Sequence, residues 1–435
     1  MYKIRFPPRH QPRGNKINLP GIDSPAVATQ SKKPAEQSVK TMFSTVPPKV
    51  KSLIYLSTFV TAGFGYFVIA VSAYLPEIGM SSGRVGILLG VNGLVFVAIA
   101  VPVGILSDRR GRKIVLQLGI ALTPLILLVY AFTTDFAFLL MAAAVAGVAE
   151  GAFMAGWNTM IADMTTPDNR NDAFSLSFIF GNAGFGIGFA LPLLFPAISD
   201  LTELESKTVH SAAFIVLAIL VAISFFILER LLKGHKEELR STKTLLRKES
   251  RRQLYRFSAV NSLIGLGAGF IIPLIPTWLF LKFGLEDSFS GPLLAISSIL
   301  IGLSAIVSSR LAKHYGLVRA IVLTQSISTV LMLSLAYMPG AILASAVYLA
   351  RAAMMNMASP LSDSFLMGIV SKEERGLASA INSIVWRLPN SATTIVGGAL
   401  LAAGMYDVPF ILATCFYIIS ISLFYTIFKD VRPKC

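Results

Sequence analysis

Twelve apolar runs follow one another between residues 53 and 428. Each is near the roughly 20 residues that a helix needs to cross a bilayer. The pattern predicts spanning helices at roughly 53–74, 85–106, 114–132, 136–160, 173–195, 210–228, 258–281, 290–309, 318–338, 341–369, 377–403 and 408–428. Charged residues make up only 14% of the chain and apolar residues 54%, where a soluble chain carries about 25% charged. So few charges cannot cover the surface of a soluble protein of 435 residues. A soluble enzyme, a nucleic-acid-binding domain and a disordered scaffold are excluded, and the expected fold is an all-α integral membrane protein.

Charge placement sets the orientation, because cytoplasmic loops concentrate Lys and Arg. With the first segment inside, 33 of the 38 Lys and Arg fall on the inner side and three, Arg84, Lys207 and Lys282, on the outer. The outer loops instead hold acids: Glu77, Asp135, Asp200, Glu203, Glu205, Glu286, Asp287 and Asp407. Both termini are therefore expected in the cytoplasm, with the chain in the cell membrane. Residues 1–50 are polar, basic and Pro-rich and read as a disordered cytoplasmic tail. A presequence or an arm that binds anionic lipid is the alternative. Residues 429–435 form a second short tail.

The longest charged break, 229–256, divides the spans six and six, giving bundles at 51–228 and 257–428 joined by a basic linker. The halves match at a fixed offset of 205: Gly79 on Gly284, Gly86 on Gly291, Gly111 on Gly316, Arg170 on Arg375 and Ala173 on Ala378. Six is an even number, so the two halves run in the same sense. This is a parallel repeat about an axis along the membrane normal.

Between spans two and three stand Gly104, Leu106, Asp108, Arg109, Gly111, Arg112 and Lys113. In this setting the run resembles the loop signature G-x-L-x-D-R-x-G-R-K of the major facilitator superfamily, and the resemblance covers residues 53–428. It implies a rocker-switch transporter in which Asp108 faces the N-terminus of span eleven and latches the cytoplasmic side, with Arg112 holding Asp108 in place. Negative charge at a helix N-terminus is favoured by about 0.3–1 kcal/mol. The equivalent loop of the second half carries Lys313 where Asp108 stands. Two features depart from family patterns. Span four lacks an arginine before Gly147, and Leu191-Pro192 replaces the usual end of the span-five motif after Gly184, Gly186 and Gly188. Proton coupling and direction are therefore left open.

Four ionisable residues remain inside the spans: Glu150, Arg351, Asp363 and Arg387. Each costs at least about 2.5–3.5 kcal/mol near the bilayer centre unless it is paired or wet. The resemblance implies a cavity lined by spans one, four, seven and ten, which Glu150 and Arg351 face from opposite halves. Asp363 and Arg387 lie at similar depth, so they are expected to pair or to share a substrate. Ser383, Arg387, Asn390 and Thr394 form one polar helical face of span eleven. Asn182 falls on Arg387 at the repeat offset, and Asn356 shares a face with Asp363. Arg170 and Arg375 either cap helix ends or join the inner gate when the transporter faces outward, with interfacial anchoring the alternative. Pro273, Pro276, Pro360 and Pro389 are expected to interrupt their helices.

No HExxH pattern and no nucleotide-binding loop occurs. Cys415 and Cys435 suit neither a disulfide nor a metal site. The expectation is therefore not an enzyme and no cofactor. It is a monomeric secondary transporter of a small organic solute by alternating access, coupled to a proton or another cation. Multidrug or metabolite efflux is favoured. The alternatives are an uptake carrier for an organic anion or sugar, and a transport-dead membrane sensor or adaptor.

Overall fold

The computed structural model describes residues 43–166, 168–234, 248–371 and 374–431. The expected disordered tail up to residue 42 lies outside these residues, as does the 432–435 end. Helices dominate and no strand occurs among the described residues. In the first half they are α1 (Pro48–Ile69), α2 (Ser82–Arg110), α3 (Arg112–Phe132), α4 (Phe136–Asp163), α5 (Arg170–Ala190) and α6 (Ser206–Leu231). In the second they are α7 (Lys248–Gly269), α8 (Asp287–Tyr315), α9 (Leu317–Ala336), α10 (Ala341–Ile369), α11 (Arg375–Ala402) and α12 (Val408–Phe428). Helix thus enters the expected 229–256 linker from both sides. Eleven segments among the described residues are long and apolar enough to cross a membrane. The remaining helix, α11, has 28 residues, about 42 Å at 1.5 Å each, but its polar stripe keeps it from passing as apolar.

Three helices change form partway, and each change tracks proline or clustered glycine. α1 continues through a π turn, Ala70–Tyr74, to Leu75–Glu77. α5 continues through a 3-10 turn at Leu191–Leu194 to Phe195–Thr202. α7 ends at Gly269 and resumes as Ile272–Leu274 and Ile275–Phe283, because Pro273 and Pro276 cannot donate to the preceding turn. Pro360 and Pro389, by contrast, sit inside unbroken helices. The break in α7 leaves carbonyls without helical partners, and α11 supplies them. Asn390 Nδ2 donates to Gly265 O at 3.1 Å and Thr393 Oγ1 to Leu266 O at 2.8 Å.

Between the halves the main contacts are α2 with α11 and α5 with α8, pairs related by the repeat. One end of the molecule carries the 107–113 loop and the other carries Glu77, Glu203, Glu286 and Asp407. We call them the basic and acidic ends. At the acidic end the seam is tight. A Cβ on Gly86 would fall 2.8 Å from Thr394 O, and one on Gly90 would fall 2.9 Å from Ser391 O. Gly104 lies further along α2 toward the basic end and has nothing within 4 Å. The second seam repeats this: Gly291 abuts Phe189 O, while Gly302, three turns on, has nothing within 4 Å. The halves therefore meet at the acidic end and part toward the basic end.

A Cβ at Gly398 would lie 2.6 Å from Ser82 O and 2.8 Å from the Gly86 Cα. Overpacking of this kind costs about 1–3 kcal/mol. We expect Gly398→Val to push α2 from α11 and shift the open-to-closed ratio at this end by about ten- to a hundredfold. Thiol labelling at Thr394→Cys, a position now 1% exposed, should rise accordingly. Unchanged labelling would show that the seam is not closed by helix contact.

Candidate solute cavity and the charges that border it

A cavity of about 310 Å³ opens within the second half. Its wall comes from α7 and the segment after it, with α9, α10, α11 and α12. The lining is rich in hydrogen-bonding groups: Asn261, Gln325, Asn356, Asn382, Asn390, Ser359 and Ser362, with Arg351 and Asp363. Trp386 and Tyr417 add aromatic surface. Several amides are already oriented by the scaffold. Asn261 Nδ2 donates to Asn382 Oδ1 at 3.0 Å, and Asn356 Nδ2 to Ala352 O at 2.8 Å.

Arg351 is the most enclosed charge of this wall, at 4% exposure. Its Nη2 donates to the Tyr417 hydroxyl at 3.0 Å, and its Nε has no partner. Among the described residues no carboxylate reaches ion-pair distance of it. Asp363 stands twelve residues further along α10, about 18 Å by helical rise. It lines the mouth of the cavity toward the basic end.

Asp363 does not pair with Arg387, contrary to expectation. Arg387 Nη2 instead donates to both oxygens of Glu150, at 2.8 and 2.7 Å, and so bridges α11 to α4 across the halves. The guanidinium also lies over the Phe96 ring of α2 at 4.1 Å. Depth along a helix is countable from sequence, but the direction around it is not. Arg387 and Asp363 share a level and face different neighbours. Of the four spans implied to line the cavity, this pocket takes in α7 and α10, and it includes neither Glu150 nor any residue of α1 or α4. Asn356 and Asn390 line it as expected. Asn182 does not, and turns back to its own helix at Phe178 O, 2.8 Å away.

At the basic end Gly111 closes α2 with φ of 101°, a left-handed value that favours glycine. Arg109 is exposed, and Gly104 faces open space. Arg112 pairs with Asp163 at the end of α4. The Asp108 side chain lies outside the described set, so the expected Asp108–Arg112 contact does too. Arg170 and Arg375 cap helix ends in this conformer. Arg170 Nη2 donates to Ala162 O and Thr165 O at 3.0 and 3.3 Å, and Arg375 Nε to Met367 O at 3.0 Å.

Sequence reasoning missed a buried polar cluster at the acidic end. His210 and Asp287 are 2% and 4% exposed and approach within 3.5 Å, Nε2 to Oδ2. Glu77 accepts from the Asp287 backbone N–H at 2.5 Å. Charge counting had assigned both acids to outer loops. Their position at span boundaries, where loop and helix end merge, was the available signal.

The comparisons with known proteins agree on one family. A family model described as the Major Facilitator Superfamily matches residues 53–349 and 257–434. The quinolone resistance protein NorA of Staphylococcus aureus is 24% identical over 137 residues, 31% of this chain and 35% of that protein. The inner membrane transport protein YajR of Escherichia coli is 30% identical over 116 residues, 27% of this chain and 24% of that protein. The chain thus aligns with about a third or less of the length of these relatives. Among solved structures, the nucleoside transporter NupG superposes with a TM-score of 0.67 at 14% identity, covering 88% of this chain and 100% of that one. A bacterial homolog of the human lysosomal transporter Spinster, inward-facing and occupied, gives 0.68 at 14% identity, over 87% and 96% of the two chains.

Proposed function

Because this chain belongs to the Major Facilitator Superfamily, we propose that its secondary transport of small solutes runs by alternating access, with the basic end in the cytoplasm and the cavity of α7–α12 as the solute site. The supporting observation is the pair of seams, tight at the acidic end and open at the basic end. On this reading the conformer is the one that faces the cytoplasm. The solute carries an acidic group, which docks on Arg351, and a polar body, which the amide wall receives. A buried cation with no counter-charge is costly, and an anionic group removes that cost. Asp363 at the mouth binds a coupling proton or cation. Export is the favoured direction, supported by the resistance role in the name of one relative, and the transporter works as a monomer in the cell membrane.

Uptake into proteoliposomes, run over a panel of labelled acidic, neutral and cationic solutes with an imposed pH gradient, tests this. Acidic polar solutes should be moved and cationic amphiphiles should not. Transport confined to cationic amphiphiles would contradict the assignment of Arg351.

The loop motif carries a separate expectation. Asp108 latches the basic end when the molecule opens at the acidic end. Asp108→Asn should lower the transport rate by about tenfold, since the latch contributes on the order of 1 kcal/mol or somewhat more. An intact rate in vesicles would rule the latch out.

A further inference from the structure

The acidic end is held shut by more than apolar packing. Thr277 Oγ1 on the second half donates to Ser72 O on the first at 2.5 Å, within the seam. Beside it lies the cluster of Glu77, His210 and Asp287. Glu77 ends the α1 segment and His210 sits on α6, both in the first half, while Asp287 opens α8 in the second. The cluster therefore exists only while the halves are together at this end.

The site gathers two carboxyl groups, Glu77 and Asp287, around one imidazole. The Tyr66 hydroxyl lies 2.9 Å from His210 Nδ1 and donates to His210 O at 3.3 Å. When the hydroxyl donates to Nδ1 instead, the ring hydrogen of neutral His210 sits on Nε2, toward Asp287. Nε2 faces Asp287 Oδ2 at 3.5 Å, longer than a normal hydrogen bond. Asp287 Oδ2 is buried and has no hydrogen-bond donor. Among the described residues, the other groups that meet it are neutral or acidic. Glu77 and Tyr74 come from the end of α1, Tyr66 from its middle, and Glu286 immediately precedes Asp287. Tyr74 stacks on the His210 ring at 3.6 Å, and Phe195 meets it edge-on at 4.7 Å, so water does not reach the ring faces. Lys207 lines a small neighbouring cavity with Tyr74 and His210 and makes no ion pair with Asp287. Among the described residues, the group within ion-pair distance of Asp287 that can bear positive charge is His210.

We propose that Glu77, His210 and Asp287 form a proton-binding site that locks the acidic end: the proton is held while this end is closed and leaves when it opens to outside water. The ligand is a proton from the external solution, and one added proton neutralises one of the two carboxyl groups, Glu77 and Asp287, that share this site with a single imidazole. The proposal rests on the alternating-access reading and adds to it where one proton enters and leaves. The sign follows from linkage. The closed form binds more protons than the open form, so raising the pH favours opening, by at most about tenfold in the open-to-closed ratio per pH unit for one proton. Asp287→Asn removes the charge that needs the proton and keeps the shape, so the lock should stay shut without titrating.

The test uses the full chain in lipid nanodiscs, with Cys415 and Cys435 replaced by serine. Spin labels are placed at Leu201→Cys and Ile342→Cys, exposed acidic-end positions on opposite halves. Electron–electron double resonance is recorded between about pH 5 and about pH 9, a range that brackets ordinary His titration. The parent should shift toward the longer distance as pH rises. Asp287→Asn and Glu77→Gln should each hold the short distance throughout, with elution profiles like the parent's. A parent distribution independent of pH overturns the proposal, as does a well-folded Asp287→Asn that follows the parent's titration. The readout needs no solute, so it separates the two ideas. Solute exchange without a pH-responsive gate sinks the lock and leaves the transport reading standing. A pH-responsive gate without solute movement does the reverse.

Discussion

Glu150→Gln and Arg387→Gln should each cut transport by more than tenfold, and the exchanged pair Glu150→Arg with Arg387→Glu should recover much of it. The bridge joins α4 to α11 through both carboxylate oxygens, at 2.8 and 2.7 Å. The Arg387 and Glu150 side chains are 29% and 18% exposed, so water screens part of the attraction. The single changes cost more than the pair contributes, because they strand one charge near the bilayer centre at about 2.5–3.5 kcal/mol. That is about a hundredfold in the balance between conformers. Exchange restores complementarity and removes the stranded charge. If the exchanged protein folds, elutes normally and stays inactive, one of the two residues handles substrate or proton directly.

Arg351→Gln is expected to separate stability from binding. Removing a buried cation that lacks a counter-charge should leave the melting temperature unchanged or raise it. Binding of the acidic solute should weaken by about ten- to a hundredfold, the loss of about 1.5–3 kcal/mol in hydrogen bonding to a charged partner. Arg351→Lys should lose less. A purely structural Arg351, tying α10 to Tyr417 of α12, would give the opposite pattern. Melting would fall, and solute affinity in the surviving protein would stay near the parent's. Thermal unfolding and equilibrium binding on the same preparations decide between the two.

These predictions turn on side-chain direction, and direction was the part that the sequence did not carry. Helix number, the parallel repeat and the basic loop after α2 all follow from runs of about twenty residues and from a fixed offset, which are one-dimensional quantities. The four charges inside the spans were also found by counting. Which neighbour each one meets depends on rotation about the helix and on how the halves are tilted. Arg387 and Asn390 stand three residues apart on one polar stripe, yet Arg387 crosses to Glu150 while Asn390 caps the broken end of α7. Glu150 has no cation in its own half because its partner belongs to the other. Glu77 and Asp287 were read as topology markers, since an acid at a span end looks the same whether solvent or the opposite half covers it.

The central claim is that the two ends open in alternation around the cavity of α7–α12. It is tested most directly by measuring both ends of the same protein in lipid. One spin-label pair sits at Leu201→Cys and Ile342→Cys, and a second, in a separate sample, at Thr166→Cys and Tyr315→Cys, exposed positions at the basic end. Without solute the acidic-end pair should be short and the basic-end pair long. Addition of a transported solute should lengthen the first population as it shortens the second. Two distributions that stay fixed under turnover, or that widen together, would contradict the account.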